Sequence, residues 1–157
     1  MGSGKSGLGR KLSGMLQFDF IDLDEMFEER YRISIPDFFE KYGEEYFRKI
    51  ERELLIETTE KKRTVISTGG GTPCYKDNME IIVKAGISVY LRYTPAELTE
   101  RLKNIKKQRP LLKGKDPAGL SDWIAHHLEE REKFYLLASH VFYPLADDLS
   151  QLVLKLI

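Results

Sequence analysis

Apolar residues recur along the 157-residue chain in two alternating spacings, one suited to helices and one to short strands. Leu8, Leu12 and Met15 fall on one face of a helix running to about Leu16. Phe18-Asp-Phe-Ile-Asp22 follows as a short strand, and the next helix runs through Arg30 with Asp24 suited to cap it. Pro36, just after Ser34, marks another helix start, and Gly43 breaks that segment. A longer helix is predicted from Glu44 to Lys62, with Phe47, Ile50 and Leu54 along one face. Thr64-Val-Ile-Ser-Thr68 is the next strand and runs straight into Gly69-Gly70-Gly71. A helix from Asp77 to Ala85 stops at Gly86, Ile87 to Leu91 is a third strand, and Thr94-Pro95 opens another helix. The segment 103–119 has no apolar period and holds six lysines and arginines, two prolines and two glycines, so it reads as a mobile basic loop. A helix from Ser121 to about Ala138, a strand over His140 to Tyr143 and a last helix from Asp147 to Leu156 complete the chain.

Strands alternating with helices imply an α/β fold with a parallel sheet covered on both faces. No internal repeat, low-complexity tract or linker interrupts it, so a single domain over 1–157 is expected. Lys plus Arg and Asp plus Glu both number 25, giving a formal net charge of zero. Neither nucleic acid nor an anionic membrane is therefore an expected partner. No apolar run approaches the roughly 20 residues of a membrane span, and there is no signal-peptide pattern at the N-terminus. The lone Cys74 cannot form an intramolecular disulfide, which fits a reducing cytoplasm. A monomer is expected.

The candidate chemistry begins at residue 2. Gly2-Ser3-Gly4-Lys5-Ser6-Gly7 leads into a helix, and such a loop can hold nucleotide phosphates on backbone N–H groups at the positive end of the helix. Lys5 would reach the outer phosphates and the Ser6 hydroxyl would hold Mg²⁺. The complete loop pattern places its first glycine two residues before Met1, and the strand that should precede it is also missing from the chain. The expectation is that the native protein begins upstream. Asp22 and Asp24 follow a strand ending, where carboxylates can enter a ligand crevice at the carboxyl end of a sheet. Arg48 and Glu51 share a helix face and can pair, whether as a surface salt bridge or as part of a site. Gly69 to Gly71 can bring backbone N–H groups close to a ligand.

Six separated motifs carry a resemblance. They are Gly4-Lys5-Ser6, Asp22-Leu-Asp24, Gly43-Glu-Glu-Tyr-Phe47-Arg48-Lys-Ile-Glu51, Gly69-Gly-Gly71, Arg109-Pro-Leu-Leu112 and Arg131-Glu-Lys-Phe-Tyr135. In this order they resemble the shikimate kinases, P-loop small-molecule kinases related in fold to the nucleoside monophosphate kinases. The resemblance implies a three-layer P-loop kinase fold: a central parallel sheet of order 2-3-1-4-5, helices on both faces and a mobile lid over 103–119. In this chain the first, central strand is the missing one, which would leave strands 3 and 4 unpaired along one edge.

The implied reaction transfers the γ-phosphate of ATP to the 3-hydroxyl of shikimate, with Mg²⁺, on the pathway to aromatic amino acids. The resemblance assigns Gly2 to Gly7 to the nucleotide, Asp22 with Ser6 to the metal, and Asp24 to the attacking hydroxyl. It assigns Arg48, Glu51, Gly70 and Arg131 to the acceptor, bound in the region of about 24–62, with Arg48 and Arg131 as two arms of a carboxylate clamp. Arg109 would swing over the nucleotide from the lid and neutralise charge on the transferring group. Two other readings stay open: a nucleoside monophosphate kinase, which would need no carboxylate base, and a non-catalytic nucleotide-binding module.

Overall fold

The computed structural model describes residues 2–105 and 117–156. Its elements in chain order are α1 (Lys5–Leu16), β1 (Asp19–Asp22), α2 (Leu23–Tyr31), α3 (Ile35–Tyr42), α4 (Glu44–Thr58) and β2 (Thr64–Ser67). A 3₁₀ turn (Thr72–Cys74) then leads to α5 (Asn78–Ala85), β3 (Val89–Leu91), α6 (Pro95–Ile105), α7 (Pro117–Tyr135), β4 (His140–Phe142) and α8 (Leu149–Leu156).

The strands form two parallel pairs. β1 lies on β2 in the register Asp19↔Thr64 to Asp22↔Ser67, and β3 lies on β4 from Val89↔His140 to Leu91↔Phe142. Because side chains alternate along a strand, neighbouring residues of β2 enter different layers. Ile66 packs with the α2, α3 and α4 cluster of Leu23, Phe27, Phe38, Phe47, Ile50 and Leu54. Val65 packs on the other face, with Leu8, Leu12 and Leu16 of α1 and Leu149 and Leu152 of α8. Helices therefore cover both faces, as the alternation predicts.

Among the described residues no strand stands between β2 and β3. A cleft of about 460 Å³ lies there instead, lined by Val65 and Ile66 from one side and Val89 and Leu91 from the other. Neither β1 nor β4 borders it. The two strands expected to lack a neighbour are thus the two that face the cleft. Side chains bridge it: α1 and α8 pack against Val65 of one sheet and Val89, Leu91 and Phe142 of the other.

Several boundaries differ from the sequence reading. Asp22, not Asp24, caps α2: it is the last extended residue (φ −105°, ψ 121°), and its carboxylate accepts from the N–H groups of Asp24 and Glu25. An extended backbone at the cap is what lets a side chain reach back to those donors. α4 ends at Thr58 instead of Lys62, where the buried Thr58 hydroxyl donates to the Leu55 carbonyl at 2.7 Å. Both ends of the segment expected as a basic loop are helical, since α6 reaches Ile105 and α7 starts at Pro117. Leu102 and Leu120, 1% and 0% exposed, pack in one cluster with Tyr93, Leu98 and Ile124, and that contact carries helix into a stretch lacking apolar period. Residues 106–116 of the expected lid lie outside the described residues.

The core behind the acceptor region is aromatic. Phe27, 1% exposed, meets Phe38 edge-on with ring centroids 5.0 Å apart and Phe47 at 4.9 Å. Burying each such ring contributes roughly 1.5–3 kcal/mol, and the pair geometry adds about 0.5–1.5 kcal/mol. α4 is thereby fixed by Phe47, Ile50 and Leu54, and Glu51 on the same face and Arg48 on its flank are held in place with them.

Candidate active site

The N-terminus of α1 is built to leave its donors open. Gly4 is the cap residue, in the left-handed region at φ 74°, and no side chain caps the helix. Only a glycine adopts this turn without strain, and a Cβ here would stand 2.8 Å from Arg101 Nη2. Arg101 braces the loop from α6, donating from Nε to the Gly2 carbonyl at 3.1 Å and lying over the Tyr93 ring. The first-turn N–H groups and the helix dipole then favour an anion at this end.

Lys5 and Ser6 turn toward the end of β1. Lys5 Nζ donates to Asp24 Oδ2 at 3.2 Å and stands 3.8 Å from Asp22 Oδ2. The Ser6 hydroxyl donates to Asp22 Oδ2 at 2.5 Å. Burial pushes the Asp22 carboxyl up, but the Ser6 hydrogen bond, the Lys5 ammonium and the Asp24 and Glu25 N–H groups outweigh it. The carboxyl therefore sits below its ordinary range and stays ionised. Ser6 and Asp22 offer two adjoining hard oxygen donors. Among the described residues no cluster of three histidine, cysteine or acidic side chains could hold a metal ion. Such a pair suits Mg²⁺, which takes one or two protein oxygens and completes its shell with phosphates and water.

On the acceptor side, three oxygens from three elements converge on Gly69. A Cβ there would lie 2.8 Å from Glu51 Oε1, 3.0 Å from Thr72 Oγ1 and 3.1 Å from Asp24 Oδ1. Glu51 is 2% exposed, accepts from the Thr72 hydroxyl at 2.6 Å and pairs with Arg48 Nη1 at 2.7 Å. With the Arg48 side chain only 14% exposed, the surface salt-bridge reading does not hold. A buried pair of this kind is costly to break from either side. Arg48 also donates from Nε and Nη2 to Glu44, a carboxylate on the exposed rim. The guanidinium lies so close to Gly71 that no Cβ fits at that position.

α7 supplies the remaining side. Arg131 lies beside the Tyr135 hydroxyl and acts, together with Arg48, on the Cys74 thiol. Burial raises that thiol above its ordinary range against the pull of both arginines. Gly70 sits below α7, its carbonyl accepting from the Tyr135 hydroxyl at 2.5 Å. The structure thus brings Lys5 and Ser6 to Asp22 and Asp24 at the end of β1, with Ser3 and Lys5 lining the cleft and Gly2 and Gly4 in the loop that Arg101 braces. Glu51 meets Asp24 at Gly69, with Arg48 paired to Glu51, and Gly70 and Arg131 both meet Tyr135. Gly7 is in the first turn of α1 with open space around its Cα. Arg109 lies outside the described residues. Sequence reasoning missed Thr72 and Glu44 as neighbours of site residues. Of these, only Glu44, four residues before Arg48, carries a spacing signal.

A glycine loop entering a helix, a lysine on paired carboxylates and a half-buried arginine on a buried glutamate across the crevice define a P-loop phosphotransferase acting on a small molecule. The family model for shikimate kinase matches residues 1–157. A shikimate kinase from Azobacteroides pseudotrichonymphae is 46% identical over 144 residues, covering 91% of this chain and 85% of that protein. One from Bacteroides thetaiotaomicron is 44% identical over 142 residues, covering 90% and 81%. Among solved structures, the Bacteroides thetaiotaomicron shikimate kinase superposes with a TM-score of 0.90 at 41% identity, covering 99% of this chain and 91% of that one. Shikimate kinase from Acinetobacter baumannii in complex with shikimate gives 0.82 at 33% identity, covering 99% and 85%. The chain belongs to the shikimate kinase family and is an ATP-dependent kinase.

Proposed function

We propose that this chain transfers the γ-phosphate of ATP to the 3-hydroxyl of shikimate, with Asp24 taking the hydroxyl proton. The observation that carries this reading is the convergence of Asp24 and Glu51 at Gly69, beside the half-buried Arg48. Carboxylates there suit a neutral alcohol. An incoming phosphate acceptor would meet two acidic side chains, which disfavours the nucleoside monophosphate kinase reading.

The roles follow from the contacts. Backbone N–H groups of the loop from Gly2 to Gly7 bind the phosphates, and Lys5 follows charge onto the transferring group. As the acceptor oxygen forms its bond to the γ-phosphorus, its proton passes to Asp24 and the bond from phosphorus to the bridging oxygen breaks, releasing ADP. Ser6 and Asp22 hold Mg²⁺, which when bound neutralises charge on the outer phosphates. Arg48 and Arg131 grip the acceptor carboxylate, the incoming carboxylate replacing Glu44 on Arg48. Glu51 keeps the guanidinium oriented, and Gly70 leaves room for the ring. The active unit is one domain, monomeric and cytoplasmic. No helix among the described residues is long and apolar enough to cross a membrane.

A coupled ADP-release assay with shikimate, set against nucleoside monophosphates and other hydroxy acids, tests the acceptor directly. Turnover on a nucleoside monophosphate and none on shikimate would end this reading. The clamp has its own test. Arg48→Ala should lower kcat/KM for shikimate by about 30- to 10³-fold, the loss of charge-assisted hydrogen bonds in a partly dehydrated crevice. Arg48→Lys should recover only part, because an ammonium lacks the two-pronged geometry. ATP affinity without shikimate should hardly move. A shikimate analogue without its carboxylate, phosphorylated as well as shikimate, would rule the clamp out.

A further inference from the structure

In the motif Arg131-Glu-Lys-Phe-Tyr135 the reaction above uses Arg131 alone, and of the others Tyr135 reaches the glycine triplet. Tyr135 ends α7, four residues and so about one turn beyond Arg131, on the same helix face. Its ring lies 5.1 Å from that of Tyr90, on β3. Its hydroxyl donates at 2.5 Å to the carbonyl of Gly70, at the middle of the glycine triplet. The Cys74 thiol reaches the same carbonyl, at a longer 3.9 Å. Burial and the neighbouring Cys74 push the Tyr135 hydroxyl up to about 12, so it remains a donor at neutral pH.

This contact acts on a peptide plane. No peptide bond among the described residues is cis, and in a trans peptide the C=O of one residue and the N–H of the next point in opposite directions. Holding the Gly70 carbonyl toward α7 therefore turns the Gly71 N–H away from α7. Among the described residues no acceptor pairs with the N–H of Gly70 or Gly71. Gly71 is also the residue against which the Arg48 guanidinium packs. Without side chains at 69–71, this plane is held by hydrogen bonds and not by side-chain sterics, because glycine populates many backbone conformations with similar ease; Thr72 N–H on the Gly69 carbonyl and Cys74 N–H on the Gly71 carbonyl flank it.

We infer that Tyr135 is a positioning residue for the acceptor: it fixes the Gly70–Gly71 peptide so that the Gly71 N–H faces the acceptor, and it ties that plane to the helix carrying Arg131. The inference rests on the acceptor-site reading given above. The hydroxyl touches no reacting atom. Its effect reaches the acceptor through the backbone, and the nucleotide loop lies outside that path.

Tyr135→Phe is the test, since it keeps the ring and its contact with Tyr90 while removing the hydroxyl, with its hydrogen bond to Gly70 and its contact with Arg131. With full kinetics on both substrates, kcat/KM for shikimate should fall about 5- to 20-fold, mostly through a higher KM. KM for ATP should stay within twofold and the melting temperature should be close to the parent's. Shikimate affinity by titration calorimetry should weaken by the same factor. A variant matching the parent within twofold on shikimate would overturn the assignment and leave the acceptor reading intact. Equal losses for ATP and shikimate would show general loosening and would also overturn it. If the parent itself failed to phosphorylate shikimate, the acceptor reading and this assignment would fall together.

Discussion

Lys5→Ala is expected to slow phosphoryl transfer by roughly 10³-fold or more, a barrier increase of several kcal/mol. Lys5 stands at the mouth of α1 with its ammonium 3.2 Å from Asp24 and 3.8 Å from Asp22. In the substrate-free protein it balances those two carboxylates. With nucleotide bound it is the cation available to the phosphates on the path from donor to acceptor. Removing it both withdraws a positive charge from the transferring group and leaves Asp22, whose side chain is 2% exposed, with one counter-charge fewer. The second effect should appear as a modest loss of stability, because Ser6 and two backbone N–H groups still hold Asp22. Single-turnover rates at saturating ATP and shikimate isolate the first effect. Transfer within tenfold of the parent would show that the loop does not serve the transferring phosphate.

Asp24→Asn should lower turnover by about 10²- to 10⁴-fold with ATP binding nearly unchanged. The substitution preserves shape but removes the only property the proposed proton acceptor needs, a free carboxylate lone pair in an ionised state. The structure makes this substitution cleaner than the sequence suggested. Asp22 is the cap of α2, so changing Asp24 leaves the helix start intact. The Asp24 side chain is 39% exposed, in contrast to the 2% of Asp22, so an amide there should cost little stability. Asp22→Asn is the informative control. It should damage folding and turnover together, and its turnover loss should depend on Mg²⁺ concentration. An Asp24→Asn protein with normal turnover would mean that another group takes the proton.

Which features were legible in the sequence follows from where their signals lie. α1, the strand centred on Ile66, the break at Gly43 and the start at Pro95 each carry a local signature, in spacing or in a residue with restricted backbone angles. The six motifs likewise sit in contiguous stretches, so Lys5, Asp22, Asp24, Arg48, Glu51 and Gly70 could be named before any fold was known. Whether Arg48 and Glu51 pair on the surface or in a buried site was not legible, because the same i, i+3 spacing serves both. Burial by the Phe27, Phe38 and Phe47 cluster and the hydroxyl of Thr72 decided it. The cap of α2 was misassigned by two residues because Asp22 and Asp24 are chemically identical, and only the backbone angle at the strand end distinguishes them. Helix at 117–120 could not be read from periodicity, since its support is tertiary: Leu120 packs in the cluster of Tyr93, Leu98, Leu102 and Ile124. Arg101 and Tyr135 act across 99 and 65 residues of sequence, so no local window contains both partners.

The cleft between β2 and β3 has a consequence for local opening. Within each sheet the strands are joined by ladder hydrogen bonds, whereas side chains cross the seam between the sheets: those of α1 and α8, and the Tyr135 hydroxyl on the Gly70 carbonyl. Among the described residues, separation along that seam breaks no ladder hydrogen bond, which lowers the cost of local opening there. α1 is also the helix whose N-terminus we propose to hold the phosphates. A nucleotide that anchors α1 therefore adds its binding free energy to the closed seam, by the ordinary linkage between ligand and native state. Amide exchange at Val65, Ile66, Val89 and Leu91 should then slow together on addition of ATP, while the α3 amides, remote from the seam, exchange as before. Ligation and cohesion of the two halves become a single equilibrium, read at residues that touch no substrate.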